Sequence, residues 1–120
     1  MAKSHFLVLG SLLISLIFSS CDFCGNQILE KQVSPNGQWQ LIKFDRDCGA
    51  TTGNSIQISI LPNNIALGNE AGNTFVSEVD SVSMQWIGEK EVLIRYPEYL
   101  KTYTKEASIQ TVRVSYAITK

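Results

Sequence analysis

An all-β fold is predicted: a small antiparallel β-sandwich, or a meander closing toward a barrel, of about six or seven strands after an N-terminal signal helix. Three observations point to it. Apolar residues alternate with polar ones in short runs, as on half-buried strands. Turn formers such as "SPNG" (34–37), "PNN" (62–64) and "GEKE" (88–91) separate those runs. Beyond residue 20 no stretch carries a 3.6-residue apolar stripe, so helical crossovers, and with them a parallel sheet, are not expected.

The elements follow in order. Residues 6–18, FLVLGSLLISLIF, are apolar except for Gly10, Ser11 and Ser15. This run of 13 residues is shorter than the ~20 that a spanning helix needs. A lysine before it and small residues after it give the layout of a secretory signal. An uncut signal anchor is the alternative. Residues 27–33, QILEKQV, and 39–45, WQLIKFD, flank SPNG and read as a hairpin. Pro35 presets the first corner, and Asn36-Gly37 tolerates positive φ. In NSIQISIL (54–61), Ile56, Ile58 and Ile60 share one face. NTFVSEV (73–79) is a short strand candidate. VSMQWI (82–87) places Val82, Met84 and Trp86 together, and EVLIRY runs to Tyr96, where Pro97 stops it. Residues 98–106, EYLKTYTKE, suit a helical turn or a loop. The last run, ASIQTVRVSYAI, presents Ile109 and then Val112, Val114 and Tyr116. Trp39, Phe44, Trp86 and Ile94 are the expected core.

Composition bounds the function. The chain has 120 residues, room for one small domain, with 11 acidic against 10 basic side chains. No basic cluster suggests a nucleic-acid partner. The single histidine, His5, lies in the signal segment. No histidine is therefore left to activate Thr51 or Thr52, or to join a zinc site with three cysteines. Asp45 and Asp47 have the spacing that opens a calcium loop. The next alternate position is Gly49, and Ile56 stands where the closing glutamate belongs. Two solvated carboxylates at a strand end are the plainer account. Arg46, between them, suits an anionic ligand or an ordinary surface charge. No catalytic residue, metal or cofactor is expected.

Phe18-Ser19-Ser20-Cys21 resembles a bacterial lipobox, with Phe18 where leucine is usual. The resemblance implies cleavage before Cys21, a diacylglyceryl thioether on its sulfur and further acylation. The organisation would then be a signal peptide (1–20), an anchor and short tether (21–26), and one β domain (27–120). Two or more acyl chains hold a protein stably to a membrane. It would sit on the extracytoplasmic side of a bacterial envelope. Asp22 resembles the inner-membrane retention signal of enteric lipoproteins. With Cys21 lipidated, Cys24 and Cys48 remain, and an even pair in an exported chain reads as a disulfide. The SPNG hairpin delivers both to one end. Cys21 and Cys24 also have the C-x-x-C spacing of a redox pair, but without the helical context that lowers a thiol pKa.

"SPNGQW" resembles β-propeller turns, although one chain of this length holds too few blades for a propeller. "CGN" (24–26), "SPNGQW", "RDCGATTG" (46–53), "ISILP" (58–62) and "VLIRYP" (92–97) together resemble a family of small bacterial proteins, often lipoproteins, with no assigned activity. Its usual turn is SPDG, and Asn36 replaces the aspartate here. The resemblance supports the Cys24–Cys48 pairing.

Two interaction surfaces are candidates. One is Arg46, Asp47, Thr51 and Thr52 in the DCGATTG segment. The other is Arg95, Tyr96, Tyr99 and Tyr103, because tyrosine and arginine are enriched in interface hot spots. Packing of some tyrosines on the sheet, with lysines in water, is the plainer account of the second. A lipid-anchored binding or accessory module, acting on a protein or envelope partner, fits best. A small inhibitor or immunity-type protein and a hydrolase using Asp45, Asp47 or Glu98 are the competing classes.

Overall fold

The computed structural model describes residues 24–50 and 52–120. Residues 1–20, expected to be a signal peptide, and Cys21, Asp22 and Thr51 lie outside the described residues. Nine strands form two facing sheets among them: β1 (Gly25–Val33), β2 (Trp39–Asp47), β3 (Asn54–Pro62), β4 (Phe75–Ser77), β5 (Ser83–Gly88), β6 (Glu91–Pro97), β7 (Thr102–Lys105), β8 (Ser108–Ile109) and β9 (Val112–Thr119). One sheet has the order β1-β2-β3-β4-β7 and the other β5-β6-β9-β8. The fold is all-β, as the alternating runs predict.

The SPNG hairpin forms, and its first strand begins at Gly25, two residues before the patterned run. The Asn36 side chain organises the turn. Its Oδ1 accepts from the Ser34 hydroxyl at 2.8 Å and from the Gln38 N–H at 3.2 Å. Gly37 takes φ +75°, a conformation that side chains disfavour. β2 and β3 then pair in unbroken register from Trp39↔Pro62 to Asp47↔Asn54.

The core lies between the sheets. Leu41, Ile58, Ile60 and Phe75 from the first sheet meet Met84, Val92, Ile94, Tyr96, Val112 and Val114 from the second. Ile94 is fully buried, whereas Trp39 and Trp86 are partly buried and pack on the rim. Phe44 is also fully buried, but on the opposite face of β2 from Leu41. There it shares a side with Ile42, Ser59 and Gln57. That outer face is covered by the Asn63–Thr74 connection, a strap folded back over the sheet. Gln40 Nε2 donates to the carbonyls of Pro62 and Ile65. The Gly72 N–H donates to Gln57 Oε1 at 2.6 Å. The Asn73 amide brackets Ile60, accepting from its N–H and donating to its carbonyl, both at 2.9 Å. β2 and β3 are therefore buried on both faces.

Three expectations need correction. β6 and β9 are parallel, from Glu91↔Arg113 to Pro97↔Thr119. No helix is needed because the chain crosses through the other sheet as β7 before returning through β8. Residues 102–105 are accordingly strand, with only a turn before them, not a helical turn. Finally, the described residues form nine strands rather than six or seven, because β4, β7 and β8, with only 3, 4 and 2 residues, are too short to show a pattern.

Along one side the sheets are joined by polar groups. Trp86 Nε1 donates to the Gln32 carbonyl at 3.0 Å, and Gln32 Nε2 donates to the Met84 carbonyl at 2.9 Å. The mostly buried Lys43 ammonium pairs with Asp80 at 3.0 Å and lies 3.8 Å from Glu30. It also donates to the Val82 carbonyl at 3.0 Å. A buried ammonium costs several kcal/mol unless it is paired and hydrogen-bonded, and all three partners are present. On the other side, Phe75, Tyr96 and Tyr116 form an aromatic cluster with centroids 5.5–6.2 Å apart. The Lys105 ammonium lies over the Tyr96 and Tyr116 rings at 5.5 and 5.0 Å.

Candidate functional site

Cys24 and Cys48 are disulfide-bonded, with Cα atoms 3.9 Å apart. Hairpin register explains the pairing, because Gly25 lies opposite Asp47 and the cysteines are the next rung. The bond closes the open end of the hairpin and seats the loop that follows. In that loop the Gly49 N–H donates to Asp47 Oδ1 at 2.9 Å, and the Gly53 N–H donates to the Gly49 carbonyl at 2.7 Å. Gly49 and Gly53 take positive φ, so the DCGATTG glycines are turn devices. Asp45 accepts from Asn54 Nδ2 at 2.8 Å. Asp45 and Asp47 thus each hold the loop. No three His, Cys, Asp or Glu side chains converge among the described residues.

Arg46 does not stand free as an anion ligand. Its guanidinium donates to Asn26 Oδ1 at 2.8 Å and to the Asn69 carbonyl at 3.3 Å. Asn26 Nδ2 in turn donates to the carbonyls of Gly68 and Glu70 at 3.0 and 2.8 Å. The "CGN" and "RDCG" segments therefore meet to clasp the strap. Side chains reaching backbone groups more than 40 residues away leave no periodic trace, so the sequence alone did not reveal this clasp.

The second candidate surface is divided. Tyr96 is buried in the core, and Arg95 points from the opposite face of β6. Tyr99 is 84 % exposed, on the β6–β7 turn. It lines a shallow cavity of about 530 Å³ with Ser81, Pro97, Ile118 and Lys120. Tyr103 goes elsewhere because β7 is bulged. Thr104 pairs with Val76 and Thr102 with Ser77, leaving Tyr103 as the extra residue. A bulge re-aims the side chain it inserts. Tyr103 consequently joins Thr52, Asn54, Ser55, Val76 and Glu78 around a cleft of about 440 Å³ beside Cys48. Its ring lies 5.4 Å from the Lys101 ammonium. Thr52 and Tyr103, from separate candidate segments, thus belong to one cleft.

Strand directions place both tyrosine-lined cavities at one end of the sandwich. Ser77 pairs with Ile56, near the start of β3, and Thr102 pairs with Ser77. The ends of β6 and β9 and the start of β5 lie together. Loops 48–53, 78–82 and 98–101 therefore gather at the disulfide end. The chain matches no protein-family model, no curated protein and no solved structure. At the opposite end, a concavity of about 600 Å³ lies between residues 88–91 and 107–113. Among its lining charges Arg113 lies 3.8 Å from Glu91, which also accepts from the Ser115 hydroxyl at 2.9 Å.

Proposed function

We propose that the chain is a lipid-anchored, extracytoplasmic module of the bacterial envelope that binds a protein or envelope partner and performs no chemistry of its own. The Cys24–Cys48 disulfide carries this reading. Such a bond persists where thiols are oxidised. It also accounts for two of the three cysteines, and the third, Cys21, ends a lipobox-like segment three residues before the domain is stapled. A fold cross-linked there transmits the position of an anchor to a rigid body. The engagement of Asp45 and Asp47 in loop hydrogen bonds supports a scaffold role for those carboxylates.

Metabolic labelling with a clickable fatty acid tests the anchor. Wild type is expected to take label and sediment with membranes, and Cys21→Ser to do neither. Label and membrane binding that persist in Cys21→Ser would sink the reading. Purification from native envelopes with the anchor intact, after cross-linking, identifies the partner.

A further inference from the structure

We infer that the disulfide end of the sandwich is itself a membrane-contact face, lying in the headgroup zone of zwitterionic phospholipid through Tyr99, Tyr103, Val79 and Ile118. This rests on the reading that Cys21 carries the lipid. The length of chain between lipid and fold argues for it. Three residues span at most roughly 11 Å, so Cys24 cannot stand farther than that from the position of Cys21. Cys24 is bonded to Cys48, so the tether ends on a fixed point of the domain and not on a swinging arm. The surface around that point must then lie at the bilayer, and the SPNG turn, a nine-residue strand away, lies about 30 Å out.

The side chains at this end suit that position. Val79, Tyr99, Tyr103 and Ile118 are 51, 84, 58 and 47 % exposed. Tyrosine is enriched at membrane–water interfaces because its ring is apolar and its hydroxyl polar. A bulge and a turn, the two most local devices in the fold, present the two tyrosines. Charge at this end is mixed, with Lys101 and Lys120 beside Asp47, Glu78, Asp80 and Glu98. Mixed charge matches a phosphate next to an ammonium, as in phosphatidylethanolamine, better than a uniformly anionic surface. Contact is therefore expected to persist in high salt.

The test uses the full chain, processed and reconstituted in phosphatidylethanolamine–phosphatidylcholine vesicles with brominated acyl chains. Tyr99→Trp and Tyr103→Trp are compared with wild type, whose own tryptophans set the baseline, and with Gln38→Trp at the far end. Mass spectrometry reports acylation of Cys21, and thermal melting reports folding. Emission from positions 99 and 103 is expected to shift to the blue and to be quenched beyond the baseline, with no such change at position 38. Quenching at 99 and 103 no greater than at 38, in acylated protein that floats with the vesicles, overturns the inference and leaves the anchor standing. Protein that lacks acylation and stays in the aqueous fraction overturns both. Quenching without acylation supports the contact face and removes the anchor. A photo-cross-linker at position 99 that captures a protein in intact envelopes, and no lipid, also overturns the inference.

Discussion

Gly72 is where the strap comes closest to the sheet, and adding one methyl group there tests what the strap does. A Cβ at Gly72 would lie 2.9 Å from Gln57 Cβ and from the Ile58 carbonyl oxygen, and 3.1 Å from the Ile58 nitrogen. Two of these atoms are backbone of a strand paired on both sides, so the strap must move. Overpacking costs about 1–3 kcal/mol. The displaced Gly72 N–H also leaves the buried Gln57 oxygen, which adds about 1 kcal/mol. Alanine opposes this by restricting the unfolded chain, by ~0.4–1 kcal/mol. The balance is a loss of about 2–3 kcal/mol, and at ~4–8 °C per kcal/mol the melting point falls by roughly 10–20 °C. Gly68→Ala is the control. Its nearest contact is the Glu70 carboxylate oxygen at 3.2 Å, the movable end of a side chain, and little change is expected. Thermal melting followed by circular dichroism reads both variants. Limited proteolysis should cut Gly72→Ala within 63–74 before wild type. A Gly72→Ala protein that melts with wild type would show that the strap is not seated as described.

Cys48→Ser should melt well below wild type, because a bridge over about 25 residues contributes roughly 3.5 kcal/mol in the chain-entropy model; full alkylation of Cys48 without reductant would rule the bond out. Asn26→Ala removes two hydrogen bonds to the strap and one partner of Arg46, and a loss of about 1–2 kcal/mol in urea unfolding is expected; an unchanged midpoint would deny the clasp. Burial first, then Glu106 and Tyr96, pushes the Tyr116 phenol well above its ordinary 10.0. The folded state therefore keeps this proton after the unfolded state releases it, so its stabilising effect is complete below about pH 10 and declines above it. Tyr116→Phe should show a shallower alkaline loss than wild type, and identical pH slopes would refute the assignment. Asp47→Asn should abolish no activity of the purified domain, since Asp47 holds a turn; loss of a measured activity with folding intact would reverse that.

The legible parts of the fold were those written in neighbouring residues. Alternation in NSIQISIL gives β3, and Pro35-Asn36-Gly37 gives the hairpin that brings Cys24 to Cys48. The parallel β6–β9 pair was not legible, because four residues of β7 do the work usually given to a helix. The strap was hidden for another reason. Its sequence between Asn63 and Thr74 is polar and glycine-containing, like any loop, and its function lies in the Asn26, Gln40, Gln57 and Asn73 amides that hold it. β2 carries apolar residues on both faces, Trp39 and Leu41 on one and Ile42 and Phe44 on the other, but nothing in its own pattern says that a loop covers the second face. The candidate surface at 95–103 failed as a unit because strand alternation and a bulge send adjacent side chains in different directions.

The return of the chain to β9 also orders events in time. β9 lies between β6 and β8, so the middle of its sheet is supplied by the last strand in sequence. The second neighbour of β6 is β9, which follows β7 on the other sheet and the short β8 in sequence. The first sheet differs, since β1, β2 and β3 are consecutive neighbours and assemble from local contacts. Local pairings form faster than those that must close long loops. The expected sequence is an early β1–β3 meander, carrying the cysteine pair at its open end, followed by slow insertion of β9. A chain ending before Val112 would keep the hairpin and lose the centre of the second sheet.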